Sequence, residues 1–328
     1  MSGKKIIVVT GATGSQGGGL VRAILADRSG AFAARAITRN AGSAKAKELA
    51  AQGVEVVEAD LNDEASVRKA FEGAYGAFLV TDFFVQRSPE EEKAQTRAEM
   101  EQAQAMAGAR AAKSAGLRHV IWSTLDDTRK HIPLSDDRMP TIDGKYKVPH
   151  FDAKAEANEF FVALGVPTTF LQTTYFFESF LKGLGPKREP NGELVLTIPM
   201  GKSKLAGIAV EDIGKTALGI FRRGEELIGK TVSIAGDHLT GAELADAFSK
   251  ALGEKVVYRP FTHEQLRAFP IPHALEFASM FQYYTEFASY FTGVRDLAVV
   301  RKLNPELQSF DTWLKANTSA LKSTLSPA

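Results

Sequence analysis

The run Lys5-Ile6-Ile7-Val8-Val9-Thr10-Gly11-Ala12-Thr13-Gly14-Ser15-Gln16-Gly17 constrains the fold of this chain more than any other segment. Its apolar, β-branched start reads as a buried parallel strand. The strand breaks into a glycine-rich turn, and the turn opens a helix. Gly11, Gly14 and Gly17 recur at three-residue spacing. The first glycine lets the chain turn off the strand. The second lets backbone N–H groups approach a pyrophosphate, and the third lets the helix pack close to the sheet. The helix N-terminus adds unpaired N–H groups and a partial positive charge. Thr13, Ser15 and Gln16 share this turn. Glycines alone also fit an ordinary strand–helix turn. Their place after a strand and before a helix favours a dinucleotide.

A chain of 328 residues can bury a large core, and one large domain with a smaller appendage suits that length. The formal charge of +1, with acids and bases interspersed, gives no electrostatic case for nucleic acid or an anionic membrane. No cysteine is present, so disulfides, thiolate catalysis and cysteine metal sites are excluded. No other grouping of residues suggests a metal site. No apolar run approaches the roughly 20 residues a membrane span needs. The chain enters its first strand at once, which leaves no room for a signal peptide, so a cytoplasmic location is expected.

Strand-like runs at Ala33–Thr38, Val54–Glu58, Ala77–Val80, His119–Ser123 and Thr168–Leu171 alternate with helical stretches at Ser43–Gln52, Glu64–Phe71, Pro89–Ser114 and Phe151–Leu164. That order implies right-handed βαβ units and an α/β fold of Rossmann type, a doubly wound parallel sheet, followed by a smaller C-terminal α+β domain. The expected division is residues 1–175 for the Rossmann domain, with 203–236 returning to it. Residues 176–202 and 237–328 make the smaller, substrate-side domain. Asp126–Pro149 interrupts the rhythm: it is polar, carries three prolines and reads as a long loop or lid.

The second strand ends in Thr38-Arg39-Asn40, where an NAD enzyme usually places an acid on the ribose 2′-hydroxyl. A 2′-phosphate carries about two negative charges and suits a planar guanidinium. Arg39, with Asn40 and the Ser43 hydroxyl nearby, therefore favours NADP(H). A solvated surface arginine is the plain alternative. Asp60 and Leu61 end the third strand, where an adenine would lie. The Asp60 carboxylate suits the adenine amino group, or else a helix N-cap. Thr81-Asp82-Phe83 ends the fourth strand beside the ribose and pyrophosphate. Ser123 ends the fifth, where a nicotinamide should be.

These segments, with His150-Phe151-Asp152-Ala153-Lys154, Gly165-Val166-Pro167, Phe176-Phe177-Glu178, Val210-Glu211-Asp212-Ile213-Gly214 and Leu303-Asn304-Pro305, resemble the NmrA-like family of atypical short-chain dehydrogenase/reductases nearly end to end. The resemblance implies NADP(H) binding and a small C-terminal domain over the nicotinamide. It implies that Gly11 through Gly17, with Thr13, Ser15 and Gln16 among them, hold the pyrophosphate, that Lys154 reaches the nicotinamide ribose and that Phe176, Phe177 and Glu178 flank the nicotinamide. Some members of that family sense NADPH and change their protein partners. Others reduce quinones or plant phenylpropanoids. Gly42 and Ser43 stand where the sensing members carry a basic cluster.

Ordinary short-chain reductases pair Tyr-x-x-x-Lys on one helix face. No tyrosine here has a lysine four residues later, and His150 occupies that place relative to Lys154. Two readings follow. The chain is an NADPH-dependent oxidoreductase of a small carbonyl, quinone or enone, with His150, Lys154 or a water held by Ser123 supplying the proton. Alternatively it is a non-catalytic redox sensor that regulates a protein partner. A lone histidine at a helix start after Pro149 has an equally plain structural reading. Tyr175, Phe176, Phe177 and Tyr283 would help wall an apolar pocket. Monomer and homodimer are both compatible with the sequence.

Overall fold

The computed structural model describes residues 3–325. Its central sheet is built from β1 (Lys5–Val9), β2 (Phe32–Thr38), β3 (Glu55–Glu58), β4 (Gly76–Leu79), β5 (His119–Thr124), β6 (Thr168–Gln172) and β7 (Thr231–Ser233). The spatial order is β3-β2-β1-β4-β5-β6-β7. Every pairing from β3 through β6 is parallel. Parallel neighbours need crossovers. These are α1 (Gln16–Ala26), α2 (Ala44–Ala51), α3 (Glu64–Phe71), α4 (Pro89–Ala94), α5 (Arg97–Ser114), α6 (Pro149–Glu156) and α7 (Asn158–Ala163), with α8 (Val210–Arg223) preceding β7. The order reverses between β1 and β4, the point where doubly wound sheets open a crevice. The expected fold class is therefore the observed one.

Burial explains the strand composition. Ile7, Val8 and Val9 of β1 are fully buried, as strands covered on both faces require. On one face, Val8, Ile37 and Trp122 meet Phe71 of α3, Ala105 and Ala109 of α5, and Phe161 of α7. Trp122 and Phe161 stack with centroids 5.4 Å apart. The alanines let α5 sit low on the sheet, and a Cβ at Gly108 would lie 3.1 Å from Leu79.

Two expected helices are interrupted. Pro89–Ser114 divides at Gln95, which is extended (φ −156°, ψ 134°). Ser88 with Glu91 and Thr96 with Glu99 form separate capping boxes, so the second helix restarts with its own cap. Phe151–Leu164 divides into α6 and α7 at Ala157.

Contacts divide the chain into two units. The first holds the residues up to Asp127 with Pro149–Thr173 and Ile213–Val232. The second holds Thr128–Val148, Thr174–Asp212 and the residues from Ser233 onward. The return to the sheet is thus shorter than 203–236. Residues 203–212 belong to the second unit, where the strand Lys204–Ile208 pairs with Tyr175–Phe176 and Asp237–Thr240. Leu194–Leu196 pairs there with Lys187–Arg188 and Val256–Tyr258. Its core stacks Phe180, Phe248, Phe310 and Trp313. Asp126–Pro149 has more structure than its polarity suggested. Ile132, Met139 and Val148 are buried. The Lys147 ammonium donates to the carbonyls of Asp136 and Met139, each at 2.7 Å. A buried apolar set and an internal cation tie the segment together.

His119 generates a pH prediction for the first unit. Its ring is fully buried, with Nε2 2.8 Å from the Thr169 hydroxyl. That hydroxyl donates to the Leu227 carbonyl, so Nε2 carries the proton and donates to Thr169. Burial lowers the His119 pKa from 6.5 to about 4. The unfolded chain therefore binds the extra proton across that window, and stability falls as pH drops from 6.5 toward 4. Urea unfolding at pH 7.5 and pH 5 should differ by about 2 kcal/mol more in the wild type than in His119→Gln. Equal differences in the two proteins would contradict a neutral buried imidazole.

Candidate functional site

The carboxyl ends of β1, β2, β3 and β4 surround a cavity of about 540 Å³. Thr10 holds its base together. The Thr10 hydroxyl donates to the Val80 carbonyl at 2.9 Å and accepts from the Val80 N–H at 2.8 Å, tying the ends of β1 and β4. The chain then turns. Gly11 takes φ +60°, and the Gly14 N–H donates to the Gly11 carbonyl at 2.9 Å. Gly17 is obligatory for packing: a Cβ there would lie 2.3 Å from the Thr10 carbonyl oxygen. At Gly14 a Cβ would meet only the Gly11 carbonyl oxygen, at 3.2 Å. The first turn of α1 carries no acid, and Ser15 makes no side-chain cap. Its N–H groups and dipole are thus uncompensated by the protein's own side chains, as an anion site requires.

Gly11, Thr13 and Gly14 line the cavity at this turn. Arg39, Asn40 and Ser43 line it from the end of β2 and the start of α2. Arg39 is exposed, with no hydrogen bond or ion pair to any described residue. Ser43 caps α2 by accepting from the Ala46 N–H, and Asn40 accepts from the Gly42 N–H. Lys45 spans the opening to donate to the Thr13 carbonyl at 3.3 Å. An acid does reach this loop from β3: Glu58 accepts from the Ala41 N–H at 3.1 Å. Its carboxylate is not part of the cavity lining.

Asp60 and Leu61 line the cavity at the end of β3. Asp60 is not the cap of α3. That role belongs to Asp63, which accepts from the Ala65 N–H. Asp60 instead accepts from the backbone and side-chain N–H of Asn62, at 2.9 and 3.0 Å. Gln104 of α5 donates to Asn62 and joins the same wall, a residue sequence reading missed. Thr81 and Asp82 line the cavity at the end of β4. Asp82 accepts from the Phe84 N–H.

Lys154 stands directly behind Thr81. Its ammonium donates to the Thr81 hydroxyl at 2.6 Å, the Thr81 carbonyl at 3.2 Å and Glu101 Oε1 at 2.5 Å. The Trp122 ring centroid lies 5.5 Å from Nζ. Thr81 also donates to Glu101 Oε1. Glu101 is fully buried on α5 and was not anticipated. Its signal was present: Ala98, Glu101, Ala105 and Ala112 lie on one helix face, and the glutamate interrupts a small, apolar stripe.

The remaining candidates have other engagements. Ser123 donates to Gln16 Oε1 at 2.7 Å, bracing the glycine turn from β5. The His150 ring packs against Phe83, Phe84 and Phe151, with centroids 5.9, 5.1 and 4.9 Å away. Phe176, Phe177 and Glu178, expected beside the nicotinamide, are held within the second unit. Phe176 pairs with Ile208 in a strand. Phe177 is buried against Phe310 and Trp313. Glu178 accepts from Trp313 Nε1 and the Val210 N–H, each at 3.0 Å, and burial raises its pKa. Aromatic and acidic character there serves packing of the C-terminal helix Phe310–Leu325. Tyr283, a candidate pocket wall, is fully buried among Phe287, Phe291 and His131. Among the described residues no cluster of three or more His, Cys, Asp or Glu could hold a metal, and no helix is long and apolar enough to cross a membrane.

Comparison with known proteins agrees with this architecture. The profile of the NmrA-like family matches residues 3–314. This chain belongs to the NmrA-like family. An NmrA-like family domain-containing oxidoreductase, himF of Aspergillus japonicus, is 30% identical over 263 residues, covering 76% of this chain and 74% of the relative. The NAD(P)H azoreductase of Xenophilus azovorans is 28% identical over 321 residues, covering 96% and 99%. Among solved structures, the negative transcriptional regulator NmrA in complex with NADP superposes with a TM-score of 0.76. It is 23% identical and covers 98% of each chain, which places this NmrA-like protein in the same fold.

Two substitutions separate folding from ligand binding at the turn. Gly17→Ala should unfold or strongly destabilise the protein, because its Cβ meets backbone at 2.3 Å. Gly14→Val should leave the thermal unfolding temperature within a few degrees yet abolish nucleotide binding, by filling the phosphate approach. Nucleotide binding retained in Gly14→Val would move the phosphate elsewhere.

Proposed function

We propose that this NmrA-like protein binds NADP(H) and acts as an oxidoreductase on a small carbonyl, quinone or enone. The observation that carries the reading is the cavity itself. A glycine turn with an uncapped helix N-terminus meets the unpaired Arg39 at one end and Thr81, backed by Lys154, at the other. The donor set fits the group. Backbone N–H groups suit a pyrophosphate, and a free guanidinium suits a 2′-phosphate. Leu61 offers an apolar face and Asp60 an acceptor for an adenine. The himF relative is named an oxidoreductase and the Xenophilus relative an NAD(P)H azoreductase, which supports nicotinamide redox chemistry.

Bound NADPH would supply a hydride to an electrophilic carbon. This chain's own residues bind, orient and hold protons. The turn fixes the phosphates, Arg39 selects the phosphorylated nucleotide, and Lys154 holds a charged donor next to Thr81. A second reading, binding without turnover as a redox sensor for a protein partner, is favoured by one observation. Each candidate proton donor is engaged or enclosed. Lys154 makes three hydrogen bonds, Ser123 donates to Gln16, and His150 is 7% exposed between phenyl rings.

Isothermal titration should show tighter binding of NADPH than NADH. Arg39→Ala should lose mainly that preference, worth about 1.5–3 kcal/mol for charge-assisted hydrogen bonds. Equal wild-type affinities would refute the 2′-phosphate assignment. NADPH oxidation against quinones, aldehydes and enones then separates the two readings. If His150 is the acid, His150→Phe should bind NADPH normally but turn over about a hundredfold more slowly. No turnover above background across the panel would leave the sensor reading standing.

A further inference from the structure

Buried in the first unit, Glu101 is a carboxylate with few partners. Oε1 accepts from Lys154 and Thr81, and Oε2 has no hydrogen-bond partner among the described residues. Stability is a weak reason for such a pair. Desolvating two charges costs about as much as their attraction returns, and apolar replacements are often neutral or stabilising. The cluster also saturates Lys154. An ammonium has three donors, and all three are used, on Glu101 Oε1, Thr81 Oγ1 and the Thr81 carbonyl. A nucleotide hydroxyl in the cavity can gain a bond from Lys154 only by exchange. The three bonds are unequal. The carbonyl bond, at 3.2 Å, is the longest and joins a neutral acceptor, whereas the Glu101 bond, at 2.5 Å, joins a carboxylate.

We propose that Glu101 is a positioning residue: it pins the Lys154 ammonium behind Thr81, so that the amine trades its bond to the Thr81 carbonyl for a hydroxyl of the bound nucleotide without leaving the carboxylate. The assignment rests on the nucleotide reading above. Glu101 acts only through Lys154 and Thr81, its described partners. Thr81 lines the cavity, and Lys154, outside the lining, meets it only through Thr81. The exchange occurs at the nicotinamide half, because the adenosine 2′-phosphate half is held at Arg39 and Ser43, at the ends of β2 and the start of α2.

The test uses two ligands and a double-mutant cycle. NADPH carries both halves, and adenosine 2′,5′-bisphosphate carries only the adenosine half. Dissociation constants of both are measured by titration calorimetry for wild type, Glu101→Gln, Glu101→Asp, Lys154→Met and the Glu101→Gln/Lys154→Met double variant, with thermal unfolding of each. Glu101→Gln should weaken NADPH about tenfold, the scale of one charged hydrogen bond, and change the bisphosphate by less than about twofold. On the Lys154→Met background the same change should cost less than about twofold. Glu101→Asp keeps the charge one methylene short and should weaken NADPH alone, by less than Glu101→Gln. It serves if Glu101→Gln does not fold. NADPH affinity unchanged or tightened in both glutamate variants overturns the proposal, as does equal loss for both ligands or an undiminished loss without Lys154. A wild type that binds NADPH but not the bisphosphate overturns the division into halves. A wild type that binds neither removes the nucleotide reading, and the inference with it.

Discussion

The hydroxyl of Thr10 is the joint on which the site depends. By accepting from the Val80 N–H and donating to its carbonyl, it locks the ends of β1 and β4 where the strand order reverses. One residue before the glycine turn, it also sets the carbonyl against which Gly17 must pack. One residue after Val80 comes Thr81, whose hydroxyl and carbonyl receive Lys154. A parallel sheet at a switch point leaves strand ends splayed, because neither neighbour's crossover covers the gap. Thr10 closes that gap at its base only, and the cavity opens above it.

Charge is arranged along the same line. Near the phosphate turn there is no acid in the first helical turn, while Lys45 and Arg39 stand at the rim. Glu58 is near in space but accepts from the Ala41 N–H, so its negative charge is spent ordering the loop that carries Arg39. At the other end a single cation, Lys154, is matched by a single buried anion, Glu101. The exposed charges act through water and are screened. The buried pair is not, so geometry there has larger consequences than composition.

Much of this was legible in the sequence, for identifiable reasons. Parallel strands read well because both faces are covered, so β1 is a nearly uninterrupted apolar run and β5 carries Val120-Ile121-Trp122 at its centre. The glycine turn read well because Gly11 and Gly17 obey local constraints that few residues satisfy. Helix continuity read less well. Ser88 and Thr96 each open a capping box, and two caps eight residues apart meant two helices where composition suggested one. Glu101 was missed because helix-face burial depends on which face meets the sheet, and a glutamate two residues from Glu99 looks solvated. Phe177 and Glu178 were placed at the nicotinamide by family resemblance. Their neighbours, Phe310 and Trp313, lie about 130 positions later in the chain, and no local pattern could reveal that contact.

The missing tyrosine and the buried pair are best understood together. In a Tyr-x-x-x-Lys site the lysine lowers the tyrosine pKa, so its charge must face the phenol. Here the residue one turn before Lys154 is His150. The Lys154 ammonium instead turns to Glu101, which neutralises it, and to Thr81. The His150 ring is left in an aromatic setting with Phe83, Phe84 and Phe151. All three donors of the Lys154 ammonium are thereby engaged. On the proposed reading, a lysine without the phenol has only a ribose to hold, and a buried carboxylate partner suits that task where it would have weakened the pull on a phenol.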